Sequence, residues 1–99
     1  MLFWIFVGPA SAAWTSFGKI TRLQIYQGDF IVKHDDMTVN PSSCAYTGYY
    51  RVSTSISDFE HMYSMLLMAR ASKEDIALEL NGCEDTAPKL IGVKIDDNG

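Results

Sequence analysis

One change of hydrophobic period, near Ser57, constrains the fold of this 99-residue chain more than any other feature. Before it, short runs alternate between apolar and polar residues, which is typical of half-buried β-strands. After it, apolar residues recur at the spacing of an amphipathic helix until about Ser72, and a period of two then returns. The residues that mark the helical face are Phe59, Met62, Tyr63, Leu66 and Leu67. The sequence therefore predicts one helix between two groups of strands.

Five strands are expected around this helix, three before it and two after it. They span residues 18–27, 30–34, 49–53, 76–81 and 90–95. The first strand is long and is expected to carry a bulge near Thr21, because Ile20 is out of phase with Leu23. Residues 81–89, which contain Cys83, predict a loop between the last two strands.

The predicted order is β-β-β-α-β-β, and the predicted fold class is mainly β with one helix. A long, bent first strand and a helix between strands three and four favour a five-stranded OB-like barrel, because the helix can cover one end of the barrel. The alternative is an open α+β sheet with the helix packed on one face. A capping box formed by Ser57 and Glu60 is expected to start the helix.

The N-terminal residues differ in composition from the rest of the chain. Residues 1–13 carry no charge, and their short apolar run is followed by small residues that fit a secretory cleavage site from Ala10 to Ala12. The prediction is a truncated signal peptide, cleaved after Ala12 or Ala13, and a single small domain over residues 14–99. A basic start is missing, so a hydrophobic N-terminal strand is the alternative. A membrane span is not expected, since spanning takes about 20 apolar residues.

The cysteine content agrees with export. The chain has two cysteines, Cys44 and Cys83. An oxidising compartment would join them, and a bridge that closes a loop of about 40 residues would stabilise the fold by roughly 4 kcal/mol. Two buried free thiols are the alternative. CxxC spacing is absent, so neither a redox motif nor a zinc site is indicated. We therefore expect a disulfide-bonded protein that is secreted or periplasmic.

The charge balance argues against several classes of function. The net charge is −4 and the sequence pI is about 4.9, whereas nucleic-acid binding draws on clustered Lys and Arg. No catalytic pattern is found, and His34, Asp35 and Asp36 predict a solvated loop rather than a metal site. The chain is therefore expected to be non-enzymatic, with no cofactor, no metal and no nucleic-acid partner.

Several motifs resemble those of a group of small secreted proteins of Gram-negative bacteria. They are Trp14 followed by GKITRL, then NPSSC, a helix containing MYSMLLMA, a strand ending in GC, and a closing IGVKI strand. The resemblance covers residues 14–95. This group is distantly similar to the OB-fold B subunit of subtilase-type AB5 toxins, which forms a pentamer and binds host sialoglycans. The resemblance implies carbohydrate binding, but no sugar-contacting residue is carried over from it.

An aromatic stretch follows the first cysteine. Tyr46, Tyr49 and Tyr50 lie close in sequence to Asn40. Sugar rings stack on aromatic faces, and amide groups pair with their hydroxyls, so these four residues are candidate ligand contacts. The alternative is that Tyr49 and Tyr50 alternate, with one in the core and the other against a cross-strand neighbour.

The helix offers a second candidate surface. Met65 and Met68 fall outside the apolar stripe of the helix, and methionine adapts to irregular partner surfaces. Both residues are candidates for an interface in a homo-oligomer, and ordinary exposed methionines are the alternative.

Two functional hypotheses follow. The first is a secreted, non-enzymatic binding module for a host or surface glycan. The second is an envelope protein that binds a protein partner or has a structural role. A hydrolase ranks third, because no set of acid, base and nucleophile can be named.

Overall fold

The computed structural model describes residues 12–26, 29–53 and 56–95. These residues form six strands and one helix. The elements are β1 (Ala13–Trp14), β2 (Ile20–Tyr26), β3 (Asp29–His34), β4 (Tyr50–Val52), α1 (Phe59–Ser72), β5 (Ile76–Glu84) and β6 (Ala87–Ile95). The prediction of a mainly β protein with one helix is confirmed. Within the described ranges, no helix is long and apolar enough to cross a membrane.

The six strands form one sheet in the order β1-β5-β6-β4-β3-β2. All neighbours are antiparallel except β4 and β6, which run parallel and pair at Arg51 and Lys89. The sheet is open rather than a closed five-stranded barrel, which agrees with the α+β alternative. The expected first strand over residues 18–27 corresponds to β2, whereas β1 lies before that range and pairs with β5 instead of β3.

Regular pairing of β1 with β5 ends for a local reason at Thr15. Its N–H donates to the Leu78 carbonyl oxygen at 2.8 Å. The Leu78 N–H, however, donates to the Thr15 hydroxyl at 3.0 Å rather than to a backbone carbonyl. A side chain thus replaces one rung of the ladder, and regular pairing between the first strand and β5 stops there. Beyond it, Gly18 forms a single isolated bridge with Ile76.

The β2–β3 hairpin matches the sequence prediction closely. Its register shifts between Ile20 and Arg22, so the bulge expected near Thr21 is confirmed. A bulge of this kind bends the strand and lets Ile20 enter the core although it is out of phase with Leu23. Ile20 is buried, and Leu23 packs against the core from its edge.

The core lies between the sheet and one face of α1. The helix contributes Met62, Leu66 and Ala69, which are all buried. From the sheet, the Phe30 ring of β3 meets the Tyr63 ring of α1 edge-on, with the ring centroids 5.1 Å apart. Burying one large apolar side chain of this kind stabilises a fold by roughly 1.5–3 kcal/mol. The core therefore uses most of the helical stripe that the sequence predicted, but the assignment of Leu67 to that stripe is wrong, since its side chain is 43% exposed.

The helix starts differently from the prediction. It begins at Phe59 with Asp58 at the N-cap position, and no side chain caps it. The expected capping box of Ser57 and Glu60 is wrong, because Ser57 lies one residue too early to be the N-cap. The C-terminal end is closed by Lys73, whose φ of 58° allows its N–H to donate to the Ala69 carbonyl oxygen.

The predicted loop over residues 81–89 is wrong. β5 continues to Glu84 and β6 begins at Ala87, so only Asp85 and Thr86 form the turn. Asp85 has a φ of 60°, which aspartate tolerates better than most residues. Gly82 has a φ of 79° within a register shift of β5, where a bulge keeps the strand paired. A bulge therefore keeps in the strand a segment whose composition predicts a loop.

Candidate binding surface

The loop before β4 is fastened to β5 by a covalent bond. Cys44 and Cys83 form a disulfide, with their Cα atoms 5.7 Å apart. Beside it, the Ser42 hydroxyl accepts a hydrogen bond from the Gly82 N–H at 2.8 Å. The disulfide prediction is confirmed, and the loop that carries the candidate tyrosines is anchored on a strand of the sheet.

Asn40 builds this loop from within. Its side-chain amide donates to the Cys44 carbonyl oxygen at 3.0 Å, and its amide oxygen accepts from the Cys44 N–H at 2.8 Å. The Ser43 N–H donates to the Asn40 carbonyl oxygen, and Ser43 has a φ of 54°. Asparagine side chains commonly stabilise turns in this way. The observed role of the Asn40 side chain is therefore to hold the loop that presents the tyrosines.

Tyr50 lies in the core rather than on the surface. It is fully buried in β4, and its hydroxyl donates to the Asp36 carbonyl oxygen at 2.7 Å. The same hydroxyl accepts from the Val39 N–H at 3.4 Å. Burial raises the pKa of Tyr50 to about 12. Of the two adjacent tyrosines, Tyr50 is thus the core residue, and this inaccessible side chain cannot contact a surface ligand.

Tyr46 and Tyr49 form an aromatic pair at the surface. Tyr46 is 45% exposed and Tyr49 is half-buried, and their ring centroids lie 4.7 Å apart with the planes tilted by 57°. The Tyr46 N–H donates to the Thr86 carbonyl oxygen at 2.8 Å, which ties the pair to the β5–β6 turn. A β-carbon at Gly48 would overlap the Tyr46 hydroxyl, so this ring position requires glycine. The pair is a preorganised aromatic surface.

Charged groups flank the turn that supports this pair. Arg51 makes ion pairs with Asp29 and Asp85, and its side chain is only 11% exposed. Asp85 precedes Thr86, to which Tyr46 is bonded, and its own side chain is 70% exposed. A carboxylate with unused acceptor positions therefore lies one residue from the point where the aromatic pair is attached.

The two candidate methionines do not share one surface. Met65 lines a groove with a volume of about 330 Å³ between α1 and β6, whereas Met68 is 50% exposed outside that groove. The groove residues are Asp58 at the N-cap, His61, Met62 and Met65 from α1, and Ile91, Gly92 and Val93 from β6. Sequence reasoning identified Met65 but not its partners on β6, because helix periodicity carries no information about the strand that faces the helix.

A second aromatic group was not predicted as a surface. Trp14 and Phe17 are 42% and 43% exposed, and the Lys94 ammonium lies 4.5 Å from the Trp14 ring centroid and 5.8 Å from that of Phe17. A cation at such distances is attracted by the ring faces. Lys94 is remote in sequence from Trp14 and Phe17 and meets them because β1 and β6 both pair with β5, so no local signal could have revealed the group.

His34 is not part of a solvated loop as predicted. It is 2% exposed, and its Nε2 lies 2.8 Å from the Ile76 carbonyl oxygen. A carbonyl can only accept, so Nε2 carries the proton, and Nδ1 accepts from the Asp36 N–H at 3.0 Å. The imidazole therefore acts as a structural link between β3 and β5. Among the described residues, no cluster of His, Cys, Asp and Glu could hold a metal ion.

Asp36 is also used internally. Hydrogen bonds from the Thr38 hydroxyl and from the Ser16 N–H lower the pKa of this carboxyl to about 2.

Comparison with known proteins adds no further assignment: no protein-family model matches this chain, and no curated protein matches it either.

Proposed function

We propose that this chain is an exported, non-enzymatic binding module and that its ligand is a glycan. The observation that carries the proposal is the Tyr46–Tyr49 pair, because it presents aromatic surface for which Gly48 leaves room and whose backbone is anchored by the bond to Thr86. Rigid aromatic side chains bind a ring face with little loss of conformational freedom. The exposed Asp85 carboxylate can accept hydrogen bonds from sugar hydroxyls beside them.

We also propose that the domain is OB-like in its connectivity. Strand order supports this: β4 is parallel to β6, α1 connects β4 to β5, and the first segment pairs with β5 through β1 and with β3 through β2. An OB fold is a partly open five-stranded barrel of this connectivity, in which one long bent strand serves both edges. Counting β1 and β2 as two halves of that strand gives the predicted order.

Export is part of the proposal. A disulfide is favoured in an oxidising compartment, and the apolar residues 1–13 fit a secretory signal. That segment lies outside the described residues apart from Ala12 and Ala13. Ala13 is the first residue of β1 and pairs with Leu80 of β5. This favours cleavage after Ala12, because β1 is then kept whole.

A glycan array probed with the oxidised protein tests the glycan assignment. We expect binding that falls at least tenfold in Tyr46→Ala and stays within about twofold in Phe17→Ala, which removes an equally exposed ring elsewhere. Sedimentation of the same samples gives the oligomeric state, since several weak sites in one assembly raise the apparent affinity. A folded protein that binds no glycan on the array would refute the assignment.

A protein partner is the second candidate ligand. Leu67 and Met68 are 43% and 50% exposed on α1, and exposed apolar residues on one element favour a contact with another protein. A pull-down from envelope extract, with Met68→Glu as the comparison, separates this candidate from the first. Retention of one protein by the wild type but not by Met68→Glu, together with an unchanged glycan array, would favour the protein partner.

A further inference from the structure

The two cysteines of the disulfide lie in different surroundings. Cys44 is buried, with 7% of its surface exposed, whereas Cys83 is exposed. A thiolate opens a disulfide by attacking one of the two sulfurs, and the rate depends on which of them it can reach. The difference in exposure therefore directs an external thiol to Cys83.

The position of Cys83 in β5 explains its exposure. Leu80 is the last residue of β5 that belongs to the hydrophobic core, and Cys83 lies beyond it, past the register shift at Gly82. Two residues after Cys83 comes the turn to β6, in which Asp85 and Thr86 are both exposed. Cys83 thus lies at the open end of the hairpin, whereas Cys44 belongs to the loop that packs against it.

We propose that Cys83 is a site of thiol–disulfide exchange, at which an external thiolate forms a mixed disulfide and releases Cys44. In this step a new S–S bond forms at Cys83 Sγ and the Cys44–Cys83 bond breaks. Its electron pair leaves with Cys44 Sγ, which takes up a proton. A second thiolate then attacks the external sulfur of the mixed disulfide and releases Cys83. Two external thiols are thereby oxidised to one disulfide, and the protein bridge is reduced.

The fold holds Cys44 in place after its release. Cys44 Sγ lies 3.3 Å from the Gly82 carbonyl oxygen, to which the new S–H can donate. The Asn40 side chain also bonds both the N–H and the carbonyl oxygen of Cys44, and neither contact involves the bridge. Cys44 therefore stays beside β5, where it can attack the mixed disulfide and close the bridge again.

Noncovalent contacts hold the loop on both sides of Cys44. Before it, the Ser42 hydroxyl accepts from the Gly82 N–H at 2.8 Å. After it, the Tyr46 N–H donates to the Thr86 carbonyl oxygen, also at 2.8 Å. We therefore expect the protein to remain folded when the bridge opens, with the loop still beside the β5–β6 hairpin but without its covalent constraint.

The exchange acts on the backbone that presents the proposed glycan surface, because Tyr46 follows Cys44 by two residues. The assignment of Cys83 does not depend on glycan binding, since it rests on the exposure of the two cysteines and on the contacts of Cys44. The experiments that test it need no glycan ligand.

Reduction of the folded, oxidised wild type tests access to the bridge. With excess dithiothreitol, the initial rate should be proportional to the thiol concentration and should change by less than about twofold between 0 and 2 M urea. If the thiol reached the bridge only in the unfolded chain, the rate would rise at least tenfold over this range, because urea increases the unfolded fraction. That rise would overturn the proposal.

The source of the thiol is tested in the same way. Initial rates with glutathione and with a thioredoxin-type dithiol protein, at equal thiol concentration, distinguish a small thiol from a protein thiol. Faster reduction by either one supports exchange and identifies its source. Reduction by neither, or unfolding of the reduced protein as measured by circular dichroism, would overturn the proposal.

Single-cysteine variants identify the sulfur. Cys44→Ser leaves Cys83 as the free thiol and Cys83→Ser leaves Cys44, while both variants lose the same bridge. In the folded state, glutathione disulfide should modify Cys83 at least tenfold faster than Cys44, as measured by the mass of the chain. In 8 M urea the two rates should agree within about threefold, because burial no longer separates them. Circular dichroism reports whether the variants fold, and the reduction experiments use the wild type alone. Equal rates in the folded variants, or faster modification of Cys44, would overturn the assignment of Cys83.

Discussion

The two ends of β5 are held to the rest of the molecule by different chemistry. At its C-terminal end, Cys83 is joined covalently to the loop before β4. At its N-terminal end, the Ile76 carbonyl oxygen lies in hydrogen-bonding contact with His34, and the Ile76 backbone forms two hydrogen bonds with Gly18. Reducing conditions would break the first attachment, whereas the second is held by a few buried hydrogen bonds. Residues 35–43 run from one attachment to the other.

Loss of the disulfide should have the largest effect on stability. The double variant Cys44→Ala/Cys83→Ala opens a closure of 39 residues in the unfolded chain, and we expect the free energy of unfolding to fall by about 4 kcal/mol. Urea unfolding of the variant and of the oxidised wild type measures this difference. The reduced wild type should match the variant. A difference below about 1 kcal/mol would contradict the expectation that the bridge stabilises the fold by constraining the unfolded chain.

Replacement of His34 should have the next largest effect. His34→Ala leaves the Asp36 N–H without its partner and the Ile76 carbonyl with the Gly18 N–H alone, and it empties a buried site, so we expect a loss of about 3 kcal/mol. Lys33→Ala, one residue earlier in the same strand, serves as the control and should change stability by less than about 0.5 kcal/mol. Equal effects of the two substitutions would contradict the assigned role of His34.

These two attachments also show what the sequence could and could not reveal. The disulfide was predictable, because two cysteines allow one possible pairing within a chain, and small domains of oxidising compartments commonly carry disulfides. The role of His34 was not, because His34-Asp35-Asp36 is polar in sequence and only the packing of β3 against Ile76 buries the ring. Local polarity indicates exposure on average, and it fails where distant strands supply the hydrogen-bond partners.

The candidate surface and the strands also differ in what local sequence reveals and what only packing determines. The bulge near Thr21 and the helical face were predictable, since both change the local hydrophobic period. Which of Tyr49 and Tyr50 enters the core was not, because a shift of one residue in the register of β4 exchanges the two faces. The β5–β6 hairpin was missed because the local composition of residues 81–89 predicts a loop, whereas a bulge at Gly82 keeps this segment paired.

Ionisation of Tyr50 tests the loop between the two attachments. Its hydroxyl holds the Asp36 carbonyl and the Val39 N–H, and burial raises its pKa from 10.0 to about 12. The unfolded chain therefore ionises first, and stability that is present below pH 10 is lost as the pH rises towards 12. By pH 11 the loss should be about 1.4 kcal/mol.

Urea midpoints at pH 9 and pH 11 measure this loss. Tyr50→Phe is less stable at both pH values, because two backbone groups lose their partner, but its stability should fall less between them. An identical fall in both proteins would show that other groups cause the alkaline change and that the Tyr50 hydroxyl does not control it.

Protonation of Asp36 should have the smallest effect on stability. The contacts involved lie at the N-terminal end of β5, near Ile76. Hydrogen bonds from Thr38 and Ser16 lower its pKa from 3.8 to about 2. Its contribution is therefore complete above about pH 5 and is lost as the pH falls towards 2. Because this carboxylate is partly exposed and screened by solvent, we expect a loss of about 1 kcal/mol at most.

Urea midpoints at pH 5 and pH 2.5 should show a smaller loss of stability in acid for Asp36→Asn than for the wild type. Asp58→Asn, which changes an exposed carboxylate on α1, should retain the wild-type acid dependence. If Asp36→Asn retained it as well, acid would act elsewhere than at the Asp36 contacts that fasten Ser16 and residues 35–38 together.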